Sequence, residues 1–331
     1  MPPMRILVTG GAGYIGSVTT ATLLARGHDV VVLDDLRTGH RAAVPDGATF
    51  VHADVADRAV VETTLAAHDA DAIVHFAASS LVGESMRDPM AYFGNNAAGS
   101  IHLLEAARAV GVDRFVFSST AALYGTPDDV PIPETAELRP ESVYGASKLA
   151  VERVLDWLSR TTPFGAIALR YFNAAGATDA LGEDHRPETH LVPIVLQAAA
   201  GRRDEVRIYG DDYPTPDGTA IRDYVHVADL AEAHALAVEA ATPGRFEAYN
   251  LGSGVGYSVR EVIDTVREVT DRDVPSRVDA RRAGDPPRLV ADASKVAAAL
   301  GWAPRHSDLH AIVASAWAWH QAHPDGYADR P

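Results

Sequence analysis

Apolar runs of strand length alternate with segments of helical period through the first half of the chain. Residues 5–10, RILVTG, read as a buried strand, because a short unbroken apolar run ending at glycine leaves no polar face for water. Runs of the same kind lie at 29–34 (DVVVLD), 48–54, 72–77, 114–119 and 165–172. Residues 14–26, 57–67, 89–109 and 143–159 carry the spacing of helices. Gly27 closes the first of these. Asp88 and Pro89 offer a cap and a first-position proline to the third, and Gly111 closes it. Strands alternating with helices predict a parallel sheet covered on both faces.

After Phe172 the pattern loosens. Residues 173–190 are polar and read as loop. Helices are expected near 191–200, 227–240, 258–269, 293–300 and 308–320, with short strands between them. The run 247–254, EAYNLGSG, reads as a strand placed to return to the main sheet. The expected fold class is therefore α/β: a Rossmann-type doubly wound parallel sheet, residues 1–172, beside a smaller, irregular α/β C-terminal substrate lobe, residues 173–331.

Composition narrows the function. The net charge of −16 argues against nucleic acid and against an anionic membrane surface, since both need a basic face. There is no cysteine, which excludes disulfides and thiolate chemistry. No apolar run approaches the roughly 20 residues of a membrane span. No charged-then-apolar leader precedes the first strand, so a cytoplasmic enzyme is expected.

The segment VTGGAGYIGS (8–17) lies between the first strand and the first helix, with Gly10, Gly13 and Gly16 spaced G-x-x-G-x-x-G. A diphosphate at a helix N-terminus needs that pattern: a tight turn, close backbone approach, and a helix packed tightly on the sheet. Asp34 ends the second strand, where an acid hydrogen-bonds an adenosine ribose 2′-OH and repels a 2′-phosphate. That favours NAD over NADP. Arg37 stands nearby, either blunting this repulsion or sitting as a solvated loop charge. Asp54 and Val55, ending the third strand, are candidates to reach the adenine.

Tyr144 and Lys148 lie four apart in the helical stretch introduced by Pro140 and Ser142, so they share one face. Only two lysines occur among 29 basic residues, Lys148 and Lys295. With 11 tyrosines, a chance Y-x-x-x-K is expected about 0.07 times per chain. A lysine ammonium beside a phenol favours the phenolate, making Tyr144 a general base usable near neutral pH. Arginine fits poorly where a compact ammonium must sit beside a phenol.

With the glycine loop, HFAA (75–78), SST (118–120) and YGASK (144–148), the chain resembles the extended short-chain dehydrogenase/reductase family. Within that family it is similar to the UDP-hexose 4-epimerases, nearly end to end, most distinctively over 201–231, and also in LRYFNAAG (169–176), YNLGSG (249–254), RRAGDPP (281–287) and LGWAP (300–304). The resemblance implies bound NAD, a UDP-sugar substrate, and reversible C4 epimerisation through a transient 4-keto sugar. Tyr144 would be the base, Lys148 would hold the nicotinamide ribose, and Thr120 would contact the sugar 4-OH. Gly10, Gly13, Tyr14, Ile15, Gly16, Asp34, Asp54, Val55, Phe76, Ala77 and Asn95 would bind the cofactor. Asn173, Arg222, Arg282, Asp285 and Leu289 would bind the substrate. A homodimer through the helices near 89–109 and 143–159 is a further implication.

Ala121 and Ala122 stand where related dehydratases carry Asp-Glu, which leaves hydride transfer without elimination. Three departures stand out: Ser80 where many relatives have lysine, His190 where asparagine is common near the nucleotide, and Leu289 where a larger tyrosine is often found. Other UDP-sugars, including UDP-N-acetylglucosamine, remain alternatives. His306 and His310 are four apart but lack a third ligand, so no metal is expected. His75 is expected to be a satisfied strand residue.

Overall fold

The computed structural model describes residues 2–282 and 285–328. Residues 283 and 284 of the RRAGDPP run, and the last residues of the expected second lobe, lie outside them.

The first half builds β1 (Arg5–Thr9), α1 (Tyr14–Ala25), β2 (Asp29–Asp34), β3 (Thr49–His52), α2 (Arg58–Ala67), β4 (Ala72–His75), α3 (Val82–Ser85), α4 (Pro89–Tyr92), α5 (Gly99–Val110), β5 (Arg114–Ser118), α6 (Val143–Thr161) and β6 (Gly165–Tyr171). The second half builds β7 (Asn173–Ala175), α7 (Leu191–Ala199), β8 (Val206–Tyr209), β9 (Ile221–His226), α8 (Val227–Ala240), β10 (Phe246–Leu251), β11 (Gly256–Ser258), α9 (Val259–Thr270), β12 (Ser276–Asp279), β13 (Arg288–Leu289), α10 (Ser294–Leu300) and α11 (Leu309–Ala322).

Seven parallel strands form the main sheet in the order β10-β6-β5-β4-β1-β2-β3. Alternation within each strand divides its side chains between two cores. Ile6, Val8, Val74 and Val116 face the layer shared with α8. Leu7, Ile73, Phe115 and Phe117 face the layer of α2, α5 and α6. Both faces are dry, which is why these strands read as continuous apolar runs. Each fully buried aliphatic or Phe side chain contributes about 1.5–3 kcal/mol. The chain order reverses between β1 and β4, and that switch point opens a crevice at the strands' C-terminal ends.

The expected caps form. The Asp88 side chain accepts from the Ala91 N–H at 3.0 Å, with Pro89 opening α4. Gly111 adopts φ +83° at the end of α5. Beyond β6 the chain divides its elements between two places. α8 and β10 join the main sheet. β7, β9, β11 and β13 form a second sheet, and β8 pairs with β12.

Two local expectations need correction. The segment 89–109 is not one α-helix, because Phe93–Ala98 forms a wide π turn between α4 and α5. Such turns are common at functional sites. This one aims Asn96 at Ser79 and Ser147. Residues 173–175 are strand rather than loop: β7 satisfies its backbone by parallel pairing with β9, fifty residues away in sequence and invisible to local pattern.

Candidate active site

The glycine loop is built by contact as much as by turn. Gly10 has φ +73°, and a Cβ there would lie 2.5 Å from the Ala77 nitrogen. A Cβ on Gly16 would lie 2.1 Å from the Gly10 carbonyl oxygen. Only glycine lets β1, the start of α1 and the end of β4 come together so closely. No side chain caps α1 at Gly13, so the first N–H groups of the helix, from Tyr14 and Ile15, are left for an anion. The Tyr14 hydroxyl turns away and donates to the Gly176 carbonyl at 2.5 Å.

Asp34 ends β2 facing this loop. Its carboxylate accepts from the Ala12 N–H at 3.0 Å and the Leu36 N–H at 2.8 Å. Burial raises its pKa, and those two hydrogen bonds only partly offset the rise. Asp34 is thus both a turn-holding acid and the acid at the crevice. Arg37 pairs with Asp35 at 2.9 Å and donates to Asn95 at 2.8 Å. Asp54 is exposed and caps its own turn by accepting from Ala56, while Val55 beside it is buried. Phe76 and Ala77, half-buried, follow β4 directly. Open helix N–H groups, a carboxylate opposite them and two apolar residues are a donor set that fits a dinucleotide.

At the end of β5 lies the reacting corner. Ser142 caps α6 by accepting from the Gly145 N–H at 3.1 Å, which fixes the first turn carrying Tyr144. The Tyr144 N–H donates to Ser85 Oγ at 3.1 Å. Thr120 stands near its hydroxyl, and Thr120 Oγ1 accepts from the Ala122 N–H at 3.1 Å. Burial, and then the neighbouring Tyr171, raise the Tyr144 pKa well above that of a free phenol, and Thr120 lowers it only in part. Lys148 is 3% exposed and donates to the Ser118 carbonyl at 3.0 Å. Burial brings its ammonium down to about 7. The ammonium is turned to the Ser118 carbonyl rather than to the phenol.

His75 is satisfied, as its position suggested. Nδ1 meets Thr9 Oγ1 at 2.6 Å and Nε2 meets Ser100 Oγ at 2.8 Å. Burial, aided by the charge of Lys148, brings it down to about 3. His306 is occupied by Asp229 at 2.9 Å and His310 is exposed.

Of the expected substrate residues, Asn173, Arg222 and Leu289 lie on the second sheet, while Asp285 is in a loop and Arg282 stands against β8 of the β8–β12 pair. Leu289 of β13 stands opposite Arg222 of β9 in parallel register. The Arg222 guanidinium donates to the Asp285 carboxylate. Arg282 lies over the Tyr209 ring at 3.9 Å. Asn173 of β7 pairs with Tyr224. A small apolar cluster of Ala121, Tyr124, Phe172 and half-buried Leu289 joins this group to the Thr120 turn.

Residues 6–252 match the NAD dependent epimerase/dehydratase family. The chain belongs to that family. It is 51% identical over 330 residues to the UDP-glucose 4-epimerase of Lacticaseibacillus casei, covering 99% of this chain and 100% of that one. A crystal structure of a UDP-glucose 4-epimerase superposes with a TM-score of 0.95 at 47% identity, over 98% of this chain and 100% of the other. The Brucella ovis UDP-glucose 4-epimerase in complex with NAD gives 0.91 at 46% identity, over 95% and 97%.

The sequence reading of this epimerase/dehydratase chain missed the support behind the corner. Asn96, not only its neighbour Asn95, ties the parts together. It accepts from the Ser79 N–H at 2.8 Å and donates to the Ser79 carbonyl and Ser147 Oγ, each at 3.0 Å. The buried pair Glu152–Arg170 closes at 2.6 Å, and Glu152 also accepts from Ser119 Oγ at 2.6 Å. Two adjacent asparagines in an apolar helix, and a glutamate one turn beyond Lys148, were the available signals.

Proposed function

We propose that this chain is an NAD-dependent isomerase that interconverts UDP-galactose and UDP-glucose by epimerising C4. The observation that carries this reading is buried Tyr144 in the first turn of α6, one turn before buried Lys148 and beside the Thr120 turn, whose next two residues are the apolar Ala121 and Ala122. With no carboxylic acid at those two positions, elimination of water has no catalyst there.

The first N–H groups of α1 would hold the diphosphate of NAD. Asp34 would hold its adenosine ribose, and Phe76, Ala77 and Asn95 would line it, with Lys148 under the nicotinamide ribose. NAD bound there would supply the hydride acceptor and donor for C4, so the reaction would have no net redox change. Thr120 receives the sugar 4-OH and passes its proton to Tyr144. Tyr144, once ionised, would accept that proton and return it to the 4-keto oxygen on the way back. Asn173, Arg222, Arg282 and Asp285 would hold the UDP portion. Their guanidinium forks suit a diphosphate. The hexose is left free to present its other face.

Leu289 supports a second reading within this class. It is half-buried in the wall that joins Arg222 to the Thr120 turn, and its small bulk leaves room for the N-acetyl group of UDP-N-acetylglucosamine. We further propose a cytoplasmic homodimer. Apolar side chains stand exposed along α3 to α6, notably Met86, Met90 and Trp157, the last two 79% and 63% exposed. Pairing along these helices would cover those side chains.

The test is incubation of purified protein with UDP-galactose and no added NAD, following UDP-glucose. UDP-glucose should form to an equilibrium mixture. No conversion, with or without added NAD, would defeat the reading.

A further inference from the structure

Between β7 and α7 the chain runs for fifteen residues without helix or strand. Within it the sequence reads E-D-H-R-P-E-T-H, residues 183–190, a doubled Glu-x-His. Among the described residues, Glu183, His185, Glu188 and His190 bring one ligand atom each to within 4.8 Å of one another. Glu183 Oε1 lies 2.6 Å from His190 Nδ1 and 3.0 Å from His185 Nδ1. Glu188 Oε1 lies 3.4 Å from His190 Nδ1.

We propose that these four side chains form a structural zinc site that pins this segment against the back of the glycine loop. Two imidazoles and two carboxylates suit a four-coordinate divalent ion of the zinc type. In a tetrahedral site with bonds of about 2.0–2.2 Å, ligand atoms stand roughly 3.3–3.6 Å apart. The observed set straddles that spacing, and the two shortest contacts are those where a proton occupies the ion's place. The carboxylate side chains are dry, 6% exposed for Glu183 and 5% for Glu188, whereas His190 is 45% exposed and gives an ion its way in.

Glu183 and Glu188 favour the protonated imidazoles, so an ion binding here must displace those protons. Asp184, His320 and Arg202 also border the cluster. The site touches the cofactor loop: the His185 ring meets the Tyr14 ring edge-on at 6.3 Å, and Tyr14 opens α1. An ion here would hold Tyr14, and with it the N–H groups of the first turn, without taking part in the chemistry.

The experiment uses the intact protein, loaded with ZnCl₂, desalted and assayed for metal by mass spectrometry. About one zinc per chain should be retained. CoCl₂ in its place should give the intense visible bands of a tetrahedral ion. The double variant His185→Gln/His190→Gln should lose the metal while keeping its circular dichroism, and His306→Gln/His310→Gln should keep it. If the double variant does not fold, Glu188→Gln and the cobalt spectrum of the unaltered protein decide. Zinc retention by the unaltered protein no greater than by the ligand variants would overturn the proposal. So would a cobalt spectrum of the octahedral aqua type, leaving two imidazoliums paired with two carboxylates.

Discussion

Lys148 lies one helical turn beyond Tyr144 on the same face of α6, yet its ammonium donates to the Ser118 carbonyl at 3.0 Å. The pair is thus poised but not engaged in the free protein. Burial raises the phenol and lowers the ammonium to about 7, the directions in which each group sheds its charge. A phenolate at Tyr144 would be favoured by added positive charge, which an oxidised nicotinamide bound there would bring.

Tyr144→Phe should reduce kcat for UDP-galactose by about 10²–10⁴-fold, the usual worth of a positioned acid–base group. Bound NAD, measured by release on denaturation, should be unchanged. A variant with wild-type turnover would remove Tyr144 from the chemistry.

Lys148→Met should separate stability from activity. A charge 3% exposed is costly to bury, so the NAD-free variant should melt higher, by about 2–4 °C for each kcal/mol of relieved desolvation. Turnover should fall together with NAD retention. A lower melting temperature would show that the Ser118 contact outweighs desolvation.

Gly16→Ala tests close approach apart from backbone freedom, since Gly16 does not have positive φ. The added methyl would meet the Gly10 carbonyl oxygen at 2.1 Å, a backbone atom that cannot swing aside. Purified variant should carry little NAD and be destabilised by about 1–3 kcal/mol. Full NAD occupancy would contradict the built loop.

Glu152→Ala should cost about 3–5 kcal/mol in denaturant unfolding, because it strands a buried Arg170. Glu152→Leu/Arg170→Met should recover most of that loss, since the pair also bears its own desolvation. If the single variant lost under 1 kcal/mol, the pair would not be the support it is taken for.

Acid should destabilise the chain partly through His75. Its unfolded pKa is near 6.5 and its folded value is about 3. Between these the unfolded chain binds more protons, so this contribution is intact above about 6.5 and is lost as pH falls toward 3. His226 and His234, both held to about 4 by burial, act in the same sense. His75→Asn should therefore have a shallower loss of melting temperature over that window. An unchanged slope would show that His75 is not held neutral.

Local pattern was enough for the strands and most helices, because both faces of the main sheet are dry and its strands carry uninterrupted apolar runs. DVVVLD became β2 over the expected 29–34, and 227–240 became α8 over its expected length. Caps were legible where the capping residue is next in sequence, the Asp88 side chain at α4 and the left-handed Gly111 at the end of α5. The π turn and β7 were not, because each is set by a distant partner: Ser147 for Asn96, and β9 for β7.

The sequence by itself determined the sheet, the glycine loop and the presence of Tyr144 and Lys148 on one helix face, since these depend on spacing within one or two neighbouring elements. Tertiary structure alone decided where Lys148 points, that Glu152 and Arg170 support the corner, and that Glu183, His185, Glu188 and His190 converge. Those facts depend on burial and on which side chains the fold brings within hydrogen-bonding reach, and spacing along a chain carries neither quantity.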